Sequence, residues 1–288
     1  MHRSITGRKF KERKRREAEE AAVLLARATL EFNVVRIYCR TVEFAAGLYS
    51  LFLSFVSYKN CFGIGGKLVA EVWMAARTIV VGDIHGCYDE LMALLEKVDL
   101  GPDDRVVSVG DLIAKGPKSR EVLQLFMSDA RFTAVMGNHD LALRRRWNGE
   151  KIQLKPAQKA AKKELKPEKE TYASYFNRLP FIIDLDTHLV VHAGLRPNVE
   201  LHSQTTDDLT RLRTLGNDPE SKDGTPWYDV YQGEKIVLFG HWPAPEPRRG
   251  KRAIGLDTGC VYGYNLTAYI IETEEFVSVA AERAYDPN

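Results

Sequence analysis

The sequence predicts an α/β fold in which two β-sheets pack as a sandwich, flanked by helices, around a βαβαβ core. Three observations carry this. Short β-branched runs alternate with helix-spaced segments between residues 77 and 140, which is the rhythm of strands joined by right-handed crossovers. Strand-like runs then dominate from residue 181 to residue 280, enough for a second sheet packed on the first. Polar clusters containing glycine follow most of these runs. With 44% hydrophobic and 28% charged residues, the chain is an ordinary globular one, which excludes a fully disordered, collagen-like or multi-span membrane protein.

The elements follow in order. RTIVVGD (77–83) is a first strand ending in Gly-Asp, and YDELMALLEKVDL (88–100) spaces its Leu and Met residues as a helix does. DRVVSVGD (104–111) is a second strand with the same ending, SREVLQLFMSD (119–129) a second helix, and FTAVMGNHD (132–140) a third strand. Residues 141–180, rich in Lys, Ala and Glu, read as helical. FIIDLDTHLVVHAG, KIVLFGHW, AIGLDTG and LTAYIIETEEFVSVA read as strands.

The first 73 residues differ from the rest. A basic run, RKFKERKRR (8–16), precedes a Glu/Ala-rich helical stretch and reads as a solvated tail, with nucleic-acid binding the sharper alternative. The apolar run at 44–58 is shorter than the ~20 residues of a membrane span. Met74 stands directly before the first convincing strand. The expected organisation is an extension over 1–73, dispensable for folding, and a catalytic domain over 74–288. The four cysteines form no tight pairs, so a reducing, cytoplasmic setting is expected; a membrane or organellar address through the extension is the alternative. Oligomeric state is not legible.

Charge is uneven. Residues 1–76 are net +6 and residues 77–288 net −4, yet residues 144–169 alone hold ten Lys+Arg against three Glu. That bears on partners and not on fold.

The polar clusters are Gly82-Asp83-Ile84-His85-Gly86, Gly110-Asp111, Gly137-Asn138-His139-Asp140, His192-Ala193-Gly194 and Gly240-His241. Ligands of α/β sheets gather beyond the carboxyl ends of strands. Any one such turn is ordinarily just a turn; five in series are not. Two Asp, three or four His and one Asn form a donor set suited to manganese, zinc, iron or cobalt. Six donors exceed what one catalytic ion with an open position needs. They suit two divalent metal ions sharing a carboxylate.

GDIHG, GD-x-x-x-K-GP, GNHD, HAGLRP and GHW, in this order, resemble the five-motif signature of the metal-dependent phosphoprotein phosphatase superfamily, across about residues 78–275. GDLIAKGP, GNHD and the GLDTGCVYG segment followed by LTAY are similar to the ApaH-like phosphatases, relatives of the symmetrical diadenosine tetraphosphatases. The resemblance implies a calcineurin-like metallophosphoesterase sandwich. It implies that Asp83, His85 and Asp111 hold a first metal, that Asp111 bridges, and that Asn138, His192 and His241 complete the second. It implies His139 as the general acid beside Asp140, with Asn138, Lys115 and Arg213 on the phosphate; Arg211 is the alternative to Arg213. The protein phosphatases carry Asp where this chain has Ala114 and Glu where it has Asp140, so the pair that orients the acid histidine is in question here. Lys115 is a point charge where those enzymes have a bidentate arginine.

The reading that follows is hydrolysis of a phosphoanhydride or phosphate ester by a metal-bound hydroxide. The substrate is expected to be a phosphorylated or polyphosphate small molecule: a dinucleoside polyphosphate such as diadenosine tetraphosphate, inorganic polyphosphate, or a nucleotide-capped RNA end. Trp147, Trp227, Tyr228 and Trp242 are the candidates for stacking on a base. A Ser/Thr protein phosphatase is the runner-up, disfavoured by Ala114 and Lys115. A non-catalytic phosphate- or RNA-binding protein is disfavoured because no ligand or acid is missing. A Cys87 nucleophile lacks the Cys-x5-Arg loop that would activate it.

Overall fold

The computed structural model describes residues 76–286 and, ahead of them, one antiparallel strand pair, β1 (Val56–Ser57) with β2 (Trp73–Met74). That pair belongs to a unit spanning Met1–Ala75, separate from the unit Ala76–Asn288. The basic run at 8–16 lies outside the described residues, as do residues 44–55 and 58 of the apolar stretch. Among the described residues no helix is long and apolar enough to cross a membrane.

Two five-stranded sheets form the second unit. The first contains β3 (Thr78–Val81), β4 (Arg105–Ser108) and β5 (Phe132–Ala134), all parallel. It is completed by β11 (Asn265–Ile270) and β12 (Glu275–Ala280), an antiparallel hairpin whose β11 pairs with β3. The second has order β6-β7-β8-β10-β9, with β7 (His188–Val191), β8 (Ile236–Phe239) and β10 (Ala253–Gly255) parallel. Its antiparallel edges are β6 (Ile182–Asp184) and β9 (Arg248–Arg249).

Strand alternation assigns each face. Val80, Val107, Val190, Leu238 and Tyr269 fill the layer shared by the two sheets. Their neighbours Ile79, Val81 and Val106 face outward from the first sheet into the helices α1 (Tyr88–Lys97) and α2 (Ser119–Ser128). On the second sheet Leu189, Val191, Val237 and Phe239 pack with Leu209 of α6 (Thr206–Arg211) and Trp227 of α7 (Trp227–Val230). These strands are buried on both faces, which explains their unbroken apolar runs.

The stretch expected to be helical is interrupted. It forms α3 (Asn138–Trp147), α4 (Pro156–Leu165), a 3-10 turn and α5 (Lys169–Arg178). Residues 148–155 are not helical; Gly149 adopts φ +93°, and Pro156 restricts Lys155 to an extended backbone before opening the next helix. The short helices α6 and α7 had no clear period to betray them.

The division after residue 75 makes the extension testable. Residues 74–288 are expected to fold and hydrolyse substrate at a rate within about threefold of the full chain. An insoluble fragment beside an active full chain would make the extension part of the fold.

Candidate metal centre

All six parallel strands end at the same place. Asp83 and His85 follow β3, Asp111 follows β4, Asn138 and His139 follow β5 at the head of α3, His192 follows β7, and His241 follows β8. Asp257, two residues past β10, joins them. The turns are tight enough to force His85 (φ 49°), Asp111 (φ 51°) and His241 (φ 66°) into the left-handed region, with Ala114 and Lys115 beside them. Non-glycine residues adopt it at a cost, and such strain concentrates at functional sites. Two glycines are required by close approach. A Cβ on Gly240 would overlap the Asp83 carboxylate, and one on Gly137 would overlap the backbone and carboxylate of Asp111.

The donor atoms converge. Asp111 Oδ2 lies 3.4 Å from His85 Nε2 and 3.5 Å from His192 Nε2, while its Oδ1 accepts the His139 backbone N–H at 2.9 Å. Asn138 Oδ1 lies 2.9 Å from His192 Nε2 and 3.2 Å from His241 Nδ1. Asp83 accepts the His241 backbone N–H at 3.1 Å. Asp83, Asp111 and His192 form one group with mutual ligand distances, and His85, Asp111 and His139 another. Asp111 belongs to both.

Whether these residues fit metal ions can be judged from the side chains alone. His85 Nδ1 is 3.1 Å from the Ile113 carbonyl and His192 Nδ1 2.8 Å from the Val109 carbonyl. Such bonds fix the tautomer and leave each Nε2 lone pair facing the centre. His241 Nε2 is buried without a partner. Burial pushes the Asp111 carboxyl up to about 6, although Lys115, the His139 N–H and Lys155 act against it. Asp83 is raised well above the usual carboxylate range by burial and then by Asp257 and Asp111; burial lifts Asp257 to about 6. Buried carboxylates that repel one another, ringed by neutral imidazoles, are a receptor for cations. The set fits divalent metals.

The remaining candidates surround this cup. Lys115 Nζ lies 3.0 Å from His85 Nε2 and donates to Tyr262 Oη at 2.8 Å. Burial opposes its charge, but Tyr262, Asp111 and Asp257 together hold its pKa above normal. Asp140 is fully buried, and its Oδ2 accepts the backbone N–H groups of Leu112 and Gly137 at 3.2 Å each, tying the second and third motifs together. His139 Nδ1 is buried without a hydrogen-bond partner, in line with the missing carboxylate at Ala114. Arg213 donates to the Glu220 carbonyl at 3.0 Å, and its charge reaches His241; that of Arg211 reaches His139. Arg211 is also paired with Asp207 and Glu220, at 3.6 Å each.

Of the aromatic candidates, Trp227 is fully buried and donates to the Ala193 carbonyl, and Tyr228 is core as well. Trp242 is half-buried under the Arg248 guanidinium. Asp257 and Tyr262 were not singled out from sequence. Asp257 obeyed the strand-end rule that found the others; Tyr262 carried no such signal.

The calcineurin-like phosphoesterase family matches residues 76–272, and the chain belongs to that family. It is a metal-dependent hydrolase of phosphate compounds, with relatives among the dinucleoside tetraphosphatases. It is 32% identical over 234 residues to the asymmetrical bis(5'-nucleosyl)-tetraphosphatase PrpE of Bacillus subtilis, covering 72% of this chain and 96% of that one. It is 31% identical over 251 residues to the symmetrical bis(5'-nucleosyl)-tetraphosphatase of Vibrio campbellii, covering 66% and 93%. A crystal structure described as a candidate diadenosine tetraphosphatase superposes with a TM-score of 0.61 at 32% identity, covering 72% of this chain and 94% of that one.

Metal loading is expected to depend on pH. A carboxyl raised to about 6 is protonated at pH 5, so an ion must displace that proton. Affinity at pH 5 should be about tenfold weaker than at pH 7.5 for each proton displaced. Calorimetric titration of metal-stripped protein at both pH values measures this; equal affinities would mean that Asp111 is not a ligand.

Proposed function

We propose that this chain hydrolyses a phosphoanhydride bond of a dinucleoside polyphosphate such as diadenosine tetraphosphate, using two divalent ions. In this reading Asp83, His85 and Asp111 hold one ion, and Asp111, Asn138, His192 and His241 hold the other. The observation that carries it is the position of Asp111 Oδ2 between His85 Nε2, at 3.4 Å, and His192 Nε2, at 3.5 Å. Bound there, two ions supply charge to offset the phosphoryl oxygens and bring a water's pKa near neutrality.

The protein's own groups do the rest. Lys115, oriented by Tyr262, holds a phosphoryl oxygen with a charge that burial has not removed. Arg213, or Arg211, clamps a further phosphate. His139 passes a proton to the leaving oxygen. Burial first, then Lys115 and Lys155, lower its pKa; a bound polyphosphate counters the two lysines and favours the protonated ring. Asp140 keeps the Asp111 and His139 turns in register.

Inorganic polyphosphate and nucleotide-capped RNA present the same anhydride and are further candidate substrates. A turnover panel on the full chain tests the reading: diadenosine tetraphosphate, polyphosphate, capped RNA and a phosphopeptide, each with manganese, cobalt, zinc and magnesium. Turnover of the tetraphosphate at least about tenfold above that of the phosphopeptide is expected. Preference for the phosphopeptide would make the chain a protein phosphatase.

A further inference from the structure

A second group of ligand-bearing side chains shares no residue with the strand-end cup. Cys87 Sγ, Cys260 Sγ and a Glu90 carboxylate oxygen stand within 4.8 Å of one another. Cys87 is 0% exposed, Cys260 2% and Glu90 4%. Cys87 directly precedes α1, Glu90 sits in the first turn of that helix, and Cys260 follows Asp257 in the loop between β10 and β11.

Glu90 is held as a ligand is held. One oxygen, Oε1, accepts the Tyr285 hydroxyl at 2.8 Å and the Glu282 backbone N–H at 3.1 Å. The other, Oε2, is buried with no hydrogen-bond partner. Among the described residues Glu90 forms no ion pair. A buried carboxylate without a counter-charge is costly. Carboxylates that bind metals are themselves fixed by hydrogen bonds from behind. The Cys87 thiol has only a long contact, 4.0 Å, with the His85 carbonyl. Packing alone accounts for two buried cysteines; it does not account for an unpaired carboxylate set against them.

The donor set selects the ion. Two sulfurs and one oxygen suit a thiophilic divalent ion of the zinc class better than manganese or magnesium, which prefer oxygen. Zinc holds sulfur at ~2.3 Å, so two sulfurs of a tetrahedral site stand ~3.8 Å apart. Starting within 4.8 Å, each pair of donors closes by no more than about 1 Å. Water takes the fourth position. The cover over the site is thin. Residues 282–284 are exposed and Tyr285 is half-buried, and the Tyr285 and Asp286 N–H groups tie this segment to the Val261 carbonyl. Displacing it opens the way in.

We propose that Cys87, Cys260 and Glu90 form a structural site for one zinc-class ion, separate from the strand-end centre. The two thiol protons pass to solvent as the sulfurs bind. The ion joins the start of α1 to the loop that carries Tyr262, the residue that orients Lys115.

Cadmium is the probe, because thiolate ligation gives it a sulfur-to-metal absorption in the ultraviolet that carboxylate and imidazole ligands do not. The full chain, loaded with manganese and kept in a phosphine reductant, is titrated with cadmium. The band is expected to saturate at one ion per chain and to disappear when excess zinc competes. Cys39→Ser with Cys61→Ser should leave the band intact, and Cys87→Ser with Cys260→Ser should abolish it. Glu90→Gln keeps both thiols and an oxygen for Tyr285, and should weaken cadmium binding at least about tenfold. Melting curves show whether each variant folds. Should the Cys87/Cys260 pair of substitutions not fold, Glu90→Gln decides. The absence of a band in the wild type, its survival in the folded Cys87/Cys260 variant, its loss in the Cys39/Cys61 variant, or unchanged affinity in Glu90→Gln would each overturn the proposal.

Discussion

Asp111→Asn is expected to lower turnover by ~10³-fold or more and to remove the second metal ion from the protein. The substitution keeps the shape. An asparagine oxygen can still accept the His139 backbone N–H that Asp111 Oδ1 accepts at 2.9 Å. Its NH2 group then replaces Oδ2, which faces His85 Nε2 at 3.4 Å and His192 Nε2 at 3.5 Å. An amide nitrogen carries no charge and no lone pair for a metal, so both ions lose the group they share. The metal-free fold should not suffer, because a buried carboxyl whose pKa burial has raised to about 6 is replaced by a neutral group. Metal analysis, turnover and melting in chelator separate these effects. Two tightly held ions in the variant would refute the bridging role.

His139→Ala is expected to lose activity according to the leaving group. General acid catalysis contributes ~10²–10⁴-fold. An aryl phosphate leaves as a stabilised phenolate and needs little protonation, whereas an alkyl phosphate leaves as a basic alkoxide and needs it fully. A nucleoside polyphosphate leaves as a weakly basic phosphate and should behave more like the aryl ester. Activity on an alkyl ester should therefore fall much further than on an aryl ester, with two ions retained. Metal loss would make His139 a ligand, a role its distance from His85 and Asp111 allows; equal losses would leave it a phosphate-positioning group. The unpartnered Nδ1 extends the argument. An enzyme of polyphosphates tolerates a loosely held acid. Ala114→Asp should then favour alkyl or peptide phosphoesters over polyphosphates. Position 114 sits at φ 72°, a region that Asp enters more readily than Ala. No change in the substrate ratio would contradict this part.

Much of the centre was legible because its logic is local. Each metal-binding candidate follows a strand-like apolar run and lies within two residues of a glycine, so strand ends could be read one at a time, and the fold then brought Asp83, His85, Asp111, Asn138, His192 and His241 together. The second sheet was legible as strands but not in its order, because β7, β8 and β10 are joined by long loops and short helices that carry no register signal. Asp257 was missed although Gly-Leu-Asp follows a strand in the same manner; it lacks a histidine partner in sequence. Tyr262 meets Lys115 from 147 residues away, a contact that only the fold defines.

The most direct test is a metal titration of stripped full-length protein, following hydrolysis of diadenosine tetraphosphate against equivalents of manganese added. The account predicts no turnover without metal and a plateau at two ions per chain. Full turnover in the presence of chelator, or a plateau at one ion, would contradict it.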